Sequence, residues 1–459
     1  MRVDGTIPVQ SSGIPVRGLR VEVVEGPDKG LVHVAASDTI SIGTGETNNL
    51  ILSDPTVSRY HADLVNQAEG GILLVDHGST NGTVLGGARL ERALIAPRTV
   101  LKLGRSAIRV DDGEPITVEA FEGERLFGLV GRSQVMKRLM ARIERAAQSD
   151  TSILLLGETG TGKEVIARAI HEASERREKP METVDCGAML PTLIASELFG
   201  HEKGAFTGAD HQHVGAFERA NGGTLFLDEI GELPASLQTA LLGALERRSF
   251  RRVGGKATIN VDVRVIAATH RDLRGEVNRG TFRQDLFYRL AVIVLQIPAL
   301  RERREDVPLL AEHFVRLTGY DGPLEEVLPE KTMEMLQGYW WPGNVRELRN
   351  LVEAAVVMGE APNLAVDGQP DTRPSTPPPP GNAQAPAAAG GEGLLISVEP
   401  VLNQPYSEAR NAIIDRFEDL YLGDLLSRCR GNVALAARQA KMNRSYLTRM
   451  IKRRGIERP

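Results

Sequence analysis

Gly157-Glu158-Thr159-Gly160-Thr161-Gly162-Lys163-Glu164 decides the architecture of the largest part of this chain. It follows the apolar run Ile153-Leu154-Leu155-Leu156 and precedes Val165-Ile166-Ala167-Arg168-Ala169-Ile170, which has helical periodicity. A buried strand, a glycine-rich turn and a helix, in that order, form a phosphate-binding loop. The glycines let the backbone approach closely, so that successive N–H groups and the helix N-terminus face the phosphates. Lys163 adds the point charge that reaches the outer phosphates. The pattern ordinarily closes in Ser or Thr, whose hydroxyl touches magnesium, and here Glu164 stands in that place. Magnesium is then expected to be held mainly by water, nucleotide and a carboxylate elsewhere.

Outward from this loop, four further runs read as strands, at 182–184, 224–227, 263–267 and 291–297, with helical patterns between them. That alternation predicts a doubly wound parallel α/β sheet. Ligand chemistry in such sheets lies at the carboxyl ends of strands. Asp228-Glu229 closes the run Leu225-Phe226-Leu227, so Asp228 is the candidate magnesium ligand and Glu229 the residue that orients or deprotonates an attacking water. Gly204-Ala205-Phe206-Thr207-Gly208-Ala209 places one aromatic between glycines. An exposed Phe on such a loop is costly unless it touches something.

Together these segments resemble the AAA+ domain, with its helical lid, of bacterial enhancer-binding proteins, the activators of RNA polymerase carrying sigma-54. The resemblance covers essentially all of 127–361. It implies ATP and Mg2+ as ligands, ATP hydrolysis to ADP and phosphate, and assembly from dimers into a hexameric or heptameric ring. It also implies that 204–209 is a moving arm contacting sigma-54, chiefly through Phe206 and Thr207. Thr281-Phe282-Arg283-Gln284-Asp285-Leu286-Phe287-Tyr288-Arg289-Leu290 matches the segment that gives arginine fingers to a neighbouring subunit, a role that falls to Arg283 and Arg289; an intrahelical pair of Asp285 with Arg289 is the alternative. Trp341-Pro342-Gly343-Asn344-Val345-Arg346-Glu347-Leu348 matches the lid motif, in which Arg346 senses nucleotide near a helix capped by Asn344. Two positions depart from the family. Asp185 stands where an Asn often links Glu229 to the moving loops, and an ionised Asp cannot donate to a glutamate. His270 stands where a sensor Asn is common.

Upstream, residues 19–115 show short alternating runs punctuated by Asp and Gly, the pattern of an all-β sandwich with function in its loops. Ile42-Gly43, Leu52-Ser53-Asp54-Pro55-Thr56-Val57-Ser58-Arg59-Tyr60-His61-Ala62 and Asp76-His77-Gly78-Ser79-Thr80-Asn81-Gly82-Thr83 resemble a forkhead-associated (FHA) domain. That resemblance implies binding of phosphothreonine peptides, with Ser58 and Arg59 on the phosphate, Asn81 on the peptide backbone and His61 bracing the loop from inside. The family usually has Arg after the Ile-Gly pair, and this chain has Thr44. A phosphate favours arginine forks, so a docking domain indifferent to phosphate is the competing reading.

Residues 362–405 are rich in Pro, Ala and Gly and read as an extended tether. Helical periodicity returns over 406–459, and ten Lys or Arg against one acid from Arg428 to Pro459 give this stretch a charge of +9. Two helical runs joined at Met442-Asn443 predict an all-α helix-turn-helix with the second helix as reader. It looks like the Fis-type DNA-binding domain, with Arg444, Ser445, Tyr446 and Arg449 facing the groove and Lys452, Arg453 and Arg454 nearer phosphates.

The whole, at 459 residues, 41% hydrophobic and net −5, is long enough for several domains. Cys186 and Cys429 give neither metal spacing nor a disulfide framework. No run approaches the ~18 apolar residues of a membrane span, residues 1–18 read as a flexible start without a signal peptide, and a cytoplasmic protein with no membrane partner is expected. The sequence thus predicts a sigma-54-dependent activator that binds enhancer DNA, remodels the polymerase by ATP hydrolysis, and takes a two-component-like input through a phosphothreonine protein or Ser/Thr kinase. The alternatives are a DNA-binding regulator, or a phosphoprotein-binding scaffold, that binds ATP without activating sigma-54.

Overall fold

A computed structural model describes residues 13–35, 39–66, 71–187 and 191–359. The tether, the basic C-terminal segment with Cys429, and most of 1–18 lie outside the described residues.

The first eleven strands make the sandwich: β1 (Gly13–Glu25), β2 (Val32–Val34), β3 (Thr39–Gly43), β4 (Leu50–Ile51), β5 (Ala62–Asn66), β6 (Ile72–Asp76), β7 (Thr83–Leu85), β8 (Ala88–Leu90), β9 (Arg92–Ile95), β10 (Thr99–Leu103) and β11 (Ser106–Glu119). They form a six-stranded sheet, β2-β1-β11-β10-β7-β8, facing a five-stranded one, β4-β3-β5-β6-β9. Alternate residues point inward, so Leu19, Val21, Val23, Ile40, Ile42, Leu64, Ile72, Leu74, Leu101, Ile108 and Val110 share one core. Strand β1 starts before the expected boundary at Leu19, because its backbone pairs with β11 from Gly13↔Glu119 onward. The loops after β4 and after β6 meet at one end of the sandwich.

A small hairpin, β12 (Arg125–Leu126) and β13 (Leu129–Val130), leads into α1 (Gln134–Ala147), β14 (Ile153–Leu156), α2 (Lys163–Glu172), β15 (Met181–Asp185), α3 (Pro191–Phe199), α4 (Ala216–Arg219) and β16 (Thr224–Asp228). Next come α5 (Ala235–Arg247), β17 (Ser249–Phe250), β18 (Ile259–Asn260), β19 (Arg264–Thr269), α6 (Leu273–Arg279), α7 (Gln284–Leu290) and β20 (Ile293–Gln296). The central sheet has the order β15-β16-β19-β14-β20, every pair parallel. All four further strands read from the sequence are in it. Burial on both faces accounts for their unbroken apolar character: Leu154, Leu225, Leu227 and Val265 face one core and Ile153, Leu155, Phe226 and Ile266 the other. Four helices follow, α8 (Val307–Leu317), α9 (Leu324–Val327), α10 (Glu330–Gly338) and α11 (Asn344–Met358). They bury their own cluster around Trp341, Leu336, Leu348 and Val352. No helix among the described residues is long and apolar enough to cross a membrane.

Candidate functional site

The loop between β14 and α2 reaches its shape through two glycines. Gly160 (φ 80°) and Gly162 (φ 101°) are left-handed, a conformation that costs other residues strain. A Cβ on Gly160 would also lie 2.3 Å from the Gly343 carbonyl oxygen. The carboxyl ends of β14 and β16 bring three charged groups together behind it. Lys163 is 6% exposed, donates to the Gly157 carbonyl at 3.2 Å and lies 3.3 Å from Glu229 Oε1. Burial pushes the Asp228 carboxyl above its ordinary range. Burial acts the same way on Glu229, but hydrogen bonding from His270 and the Lys163 charge outweigh it and hold that carboxyl below. Glu229 itself has a left-handed backbone (φ 50°), a strained conformation of the kind that clusters at functional sites.

These residues fit a nucleotide with its cation. The loop offers backbone donors, a buried ammonium and a helix N-terminus to phosphate, and Asp228 offers a partly buried carboxylate. Glu164 does not join them. It is exposed and pairs with Arg168 one turn along α2, at 3.3 Å. Asp185, next to Asp228 in the sheet register, accepts from the Gly187 N–H at 2.8 Å. The contact to Glu229 comes instead from His270, whose Nδ1 is 2.7 Å from Oε2 and whose backbone N–H donates to the same oxygen at 3.3 Å.

The lid closes on the loop from the other side, and two of the residues involved, Arg301 and Arg303, have no part in the sequence reading. Arg301 forms a bidentate pair with Glu158. Arg303, buried and pushed down to about 10 by that burial, donates to the Thr161 carbonyl at 3.1 Å. Arg346 is exposed, and its backbone N–H donates to the Gly160 carbonyl at 3.1 Å. Asn344 does not cap its helix: the N-cap is Gly343, whose N–H donates to Glu347. Fully buried, the Asn344 side chain accepts from the Leu300 N–H and donates to Glu158 and to the Thr159 carbonyl.

Arg283 and Arg289 lie apart from the phosphate loop on the exposed side of α7 and the turn before it. Arg283 pairs with Asp285, its Nη2 2.6 Å from Oδ2. Asp285 thus takes Arg283 as its partner and not Arg289, the alternative pairing, whose Nη2 donates to the Leu245 carbonyl at 3.1 Å. Gln238, buried on α5, accepts from the Arg283 N–H and donates to the Thr281 carbonyl, which fixes this turn. The 204–209 loop is closed at its base by Gly204 N–H to Ala209 O, 2.8 Å. Phe206 is half-buried, edge-on to His201 at 4.9 Å, and Thr207 is exposed. In the sandwich, Ser58 Oγ accepts from the Thr80 N–H at 2.9 Å, Arg59 is exposed, Asn81 donates to the Thr56 carbonyl, and buried His61 accepts from the Ser58 N–H. Arg444, Ser445, Tyr446, Arg449, Lys452 and Arg453 lie outside the described residues.

Comparison with known proteins gives three family matches. Residues 129–296 match the sigma-54 interaction domain, 301–382 an AAA+ ATPase lid domain, and 22–113 a model described as the cytoplasmic domain of an inner membrane component of T3SS. The chain is 50% identical over 259 residues to transcriptional regulatory protein ZraR of Escherichia coli strain K12, covering 56% of this chain and 59% of that one. It is 41% identical over 355 residues to DNA-binding transcriptional regulator NtrC of Azospirillum brasilense, covering 74% of this chain and 72% of that one. A solved FHA domain from a study of phosphothreonine-dependent FHA interactions is similar to the N-terminal part, at 29% identity, 20% of this chain, 95% of that chain and TM-score 0.19.

Proposed function

This chain belongs to the family of transcriptional regulators built on a sigma-54 interaction domain with an AAA+ lid, and from that membership and the geometry we propose that it is an ATP-hydrolysing activator of sigma-54 RNA polymerase. It spans 59% of the length of the E. coli relative, so its activity and partners are argued from its own residues. The observation that carries the reading is the convergence of Lys163, Asp228 and Glu229 at the carboxyl ends of β14 and β16, which flank β19 in the sheet, in a chain that also keeps 204–209 as Gly-Ala-Phe-Thr-Gly-Ala.

The loop amides and Lys163 bind the phosphates of ATP, and Asp228 holds Mg2+. That ion supplies neutralisation of charge on the phosphoryl oxygens. Glu229 orients the attacking water and takes its proton, with His270 fixing the carboxylate. Arg283 and Arg289 complete the site of a neighbouring subunit, a contribution that is worth roughly 10³–10⁵ in rate where it occurs. The lid contacts of Glu158, Arg301, Asn344 and Arg346 make the loop responsive to lid position. Phe206 and Thr207 present the result to sigma-54, and the basic C-terminal segment binds enhancer DNA. The sandwich reads a phosphothreonine partner through Ser58, Arg59 and Asn81, weakly for want of a cation at Thr44.

The test is reconstituted transcription from a sigma-54 promoter with its enhancer, with and without ATP. Open-complex formation that requires both ATP and this protein is expected. ATP turnover without any polymerase activation would leave a DNA-binding regulator in its place.

A further inference from the structure

The sandwich and the ATPase core belong to one compact unit, Met1–Thr372, and the contact between them uses the same loops that would read phosphate. Tyr60, next to Arg59, is 1% exposed, and its ring lies in the ATPase core cluster with Leu286, Phe287 and Leu290. Its centroid is 5.3 Å from that of Phe287 and 6.5 Å from that of Tyr288, both edge-on, and the Arg274 guanidinium lies over it at 5.7 Å. Asn278 of α6 holds two sandwich loops at once. Its Nδ2 donates to the Tyr60 carbonyl at 2.6 Å and to the His77 carbonyl at 3.1 Å, and its Oδ1 accepts from the Tyr60 N–H at 3.4 Å. His77 bridges the domains, with Nδ1 2.9 Å from Asp272 Oδ1 and Nε2 3.1 Å from Asp63 Oδ2, while Arg274 pairs with Asp63. The two loops are also joined to each other, since the His77 N–H donates to the His61 carbonyl at 3.0 Å.

On their outer side the Ser58 hydroxyl joins the loops, with Asn81 donating to the Thr56 carbonyl beside it. Ser58 Oγ accepts from the Thr80 N–H at 2.9 Å and lies 3.4 Å from Thr80 Oγ1. A phosphate bound there competes for the Thr80 N–H, now given to Ser58 Oγ, and for the Ser58 O–H, now turned to Thr80 Oγ1, because both are donors that it needs. That exchange separates two loops whose spacing Asn278 fixes from the other side. Building on the phosphothreonine reading above, we propose that loops 58–61 and 77–81 are a single two-faced element, taking a phosphothreonine on the outer face and the α6–α7 segment of the ATPase on the inner face, with each occupant weakening the other. The partner of the inner face is the stretch that carries Arg283 and Arg289. A phosphothreonine protein therefore acts on the finger-bearing segment at one remove.

Coupling of this kind is reciprocal: if the phosphopeptide weakens the dock, a weakened dock tightens the phosphopeptide. Asn278→Ala, in the full chain, removes the bonds to both loops and leaves the sandwich sequence unchanged. Binding is read by fluorescence anisotropy with a degenerate phosphothreonine peptide pool and its unphosphorylated twin. The expected result is tighter phosphopeptide binding by Asn278→Ala than by the wild type, by roughly five- to twentyfold, within the usual range of coupling between sites. Arg274→Ala, which removes the Asp63 pair and the contact over Tyr60, should shift affinity in the same direction and serves if Asn278→Ala does not fold. Phosphate-dependent binding that is equal or weaker in these variants overturns the coupling and leaves the phosphothreonine reading standing. Absence of any phosphate-dependent binding, in wild type and variants alike, overturns both.

Discussion

His270→Ala probes the arrangement of Glu229 without removing the carboxylate. His270 contributes the 2.7 Å side-chain contact to Oε2, while Lys163, 3.3 Å from Oε1, holds the other oxygen and remains in place. A hydrogen bond to a charged group contributes about 1.5–3 kcal/mol. The His270 side chain is 43% exposed and that of Glu229 20%, so water competes and the low end applies. A loss of ~1.5 kcal/mol is roughly tenfold in rate, and it should fall on kcat, because the phosphate loop and Lys163 are untouched. The pH profile supplies a second readout. Glu229 is held below its ordinary value against the effect of burial, first by the His270 hydrogen bond and then by Lys163. Removing the stronger of these raises the carboxyl pKa, the carboxylate is then protonated at higher pH, and the acid limb of the rate profile moves upward. Steady-state phosphate release measured across that limb gives both numbers. His270→Asn, which restores a side-chain N–H, should recover most of kcat and return the limb toward its original position. An unchanged kcat with an unshifted acid limb in His270→Ala would refute the positioning of Glu229 by His270.

Other perturbations separate the parts of the molecule. Lys163→Ala should abolish nucleotide binding, measured by equilibrium dialysis of labelled ATP, because the phosphates lose the buried ammonium of the loop; normal binding would remove the phosphate-loop assignment. Thr207→Ala should keep most ATP turnover and lose polymerase activation, since exposed Thr207 is on the 204–209 loop and not at the phosphates; undiminished activation would give that loop another purpose. His77 makes the dock pH-dependent. Burial would lower its pKa, but Asp63 and Asp272 outweigh this and raise it to about 9, against ~6.5 for a free imidazole. With Asp63, Asp272, Arg274 and His61 as its charged and titratable surroundings, the raised value stabilises the dock fully below pH ~6.5 and less as pH rises through about 9. The Tm difference between wild type and His77→Gln should therefore shrink as pH rises through that window, and a constant difference would exclude His77 as the titrating group.

Much of the ATPase core is local in the sequence, which is why it could be read there. The phosphate loop, its strand and its helix are contiguous, and Asp228-Glu229 follows its own strand directly. The sandwich strands at Ile40, Ile72 and Val100 are likewise marked by alternation. Legibility fails wherever a side chain is used by a distant element. Glu164 belongs to a nucleotide motif in the sequence, yet its position at the start of α2 turns it outward to Arg168. Asn344 has the chemistry of a helix cap, but the loop at Glu158 and Thr159 lies within its reach and takes its amide. Asp185 and His270 were both visible as departures from the family; only the parallel sheet, which sets their strand ends on either side of Glu229, shows that His270 takes up the contact and Asp185 does not.

Tyr60 is the extreme of the same effect, because the surface that buries its ring belongs to the ATPase core. Within Ser58-Arg59-Tyr60-His61 the flanking residues have roles that belong to the sandwich alone: His61 is inside it, and Ser58 and Arg59 are at its mouth. Among the described residues of its own domain, Tyr60 has no partner of that kind beyond Thr47, at 3.3 Å from its hydroxyl. Its ring requires an apolar surface that the sandwich does not provide, and α7 provides it through Phe287 and Leu290. Neither half of the chain, read separately, contains the reason for the other. The need is legible as one large aromatic between an exposed arginine and a buried histidine, and its satisfaction as an apolar face on the helix that follows Arg283. The sandwich is held to the segment that carries Arg283 and Arg289 by the loop that bears Ser58 and Arg59, so on the phosphothreonine reading proposed above the place where a signal binds and the place where it acts are opposite sides of the same few residues.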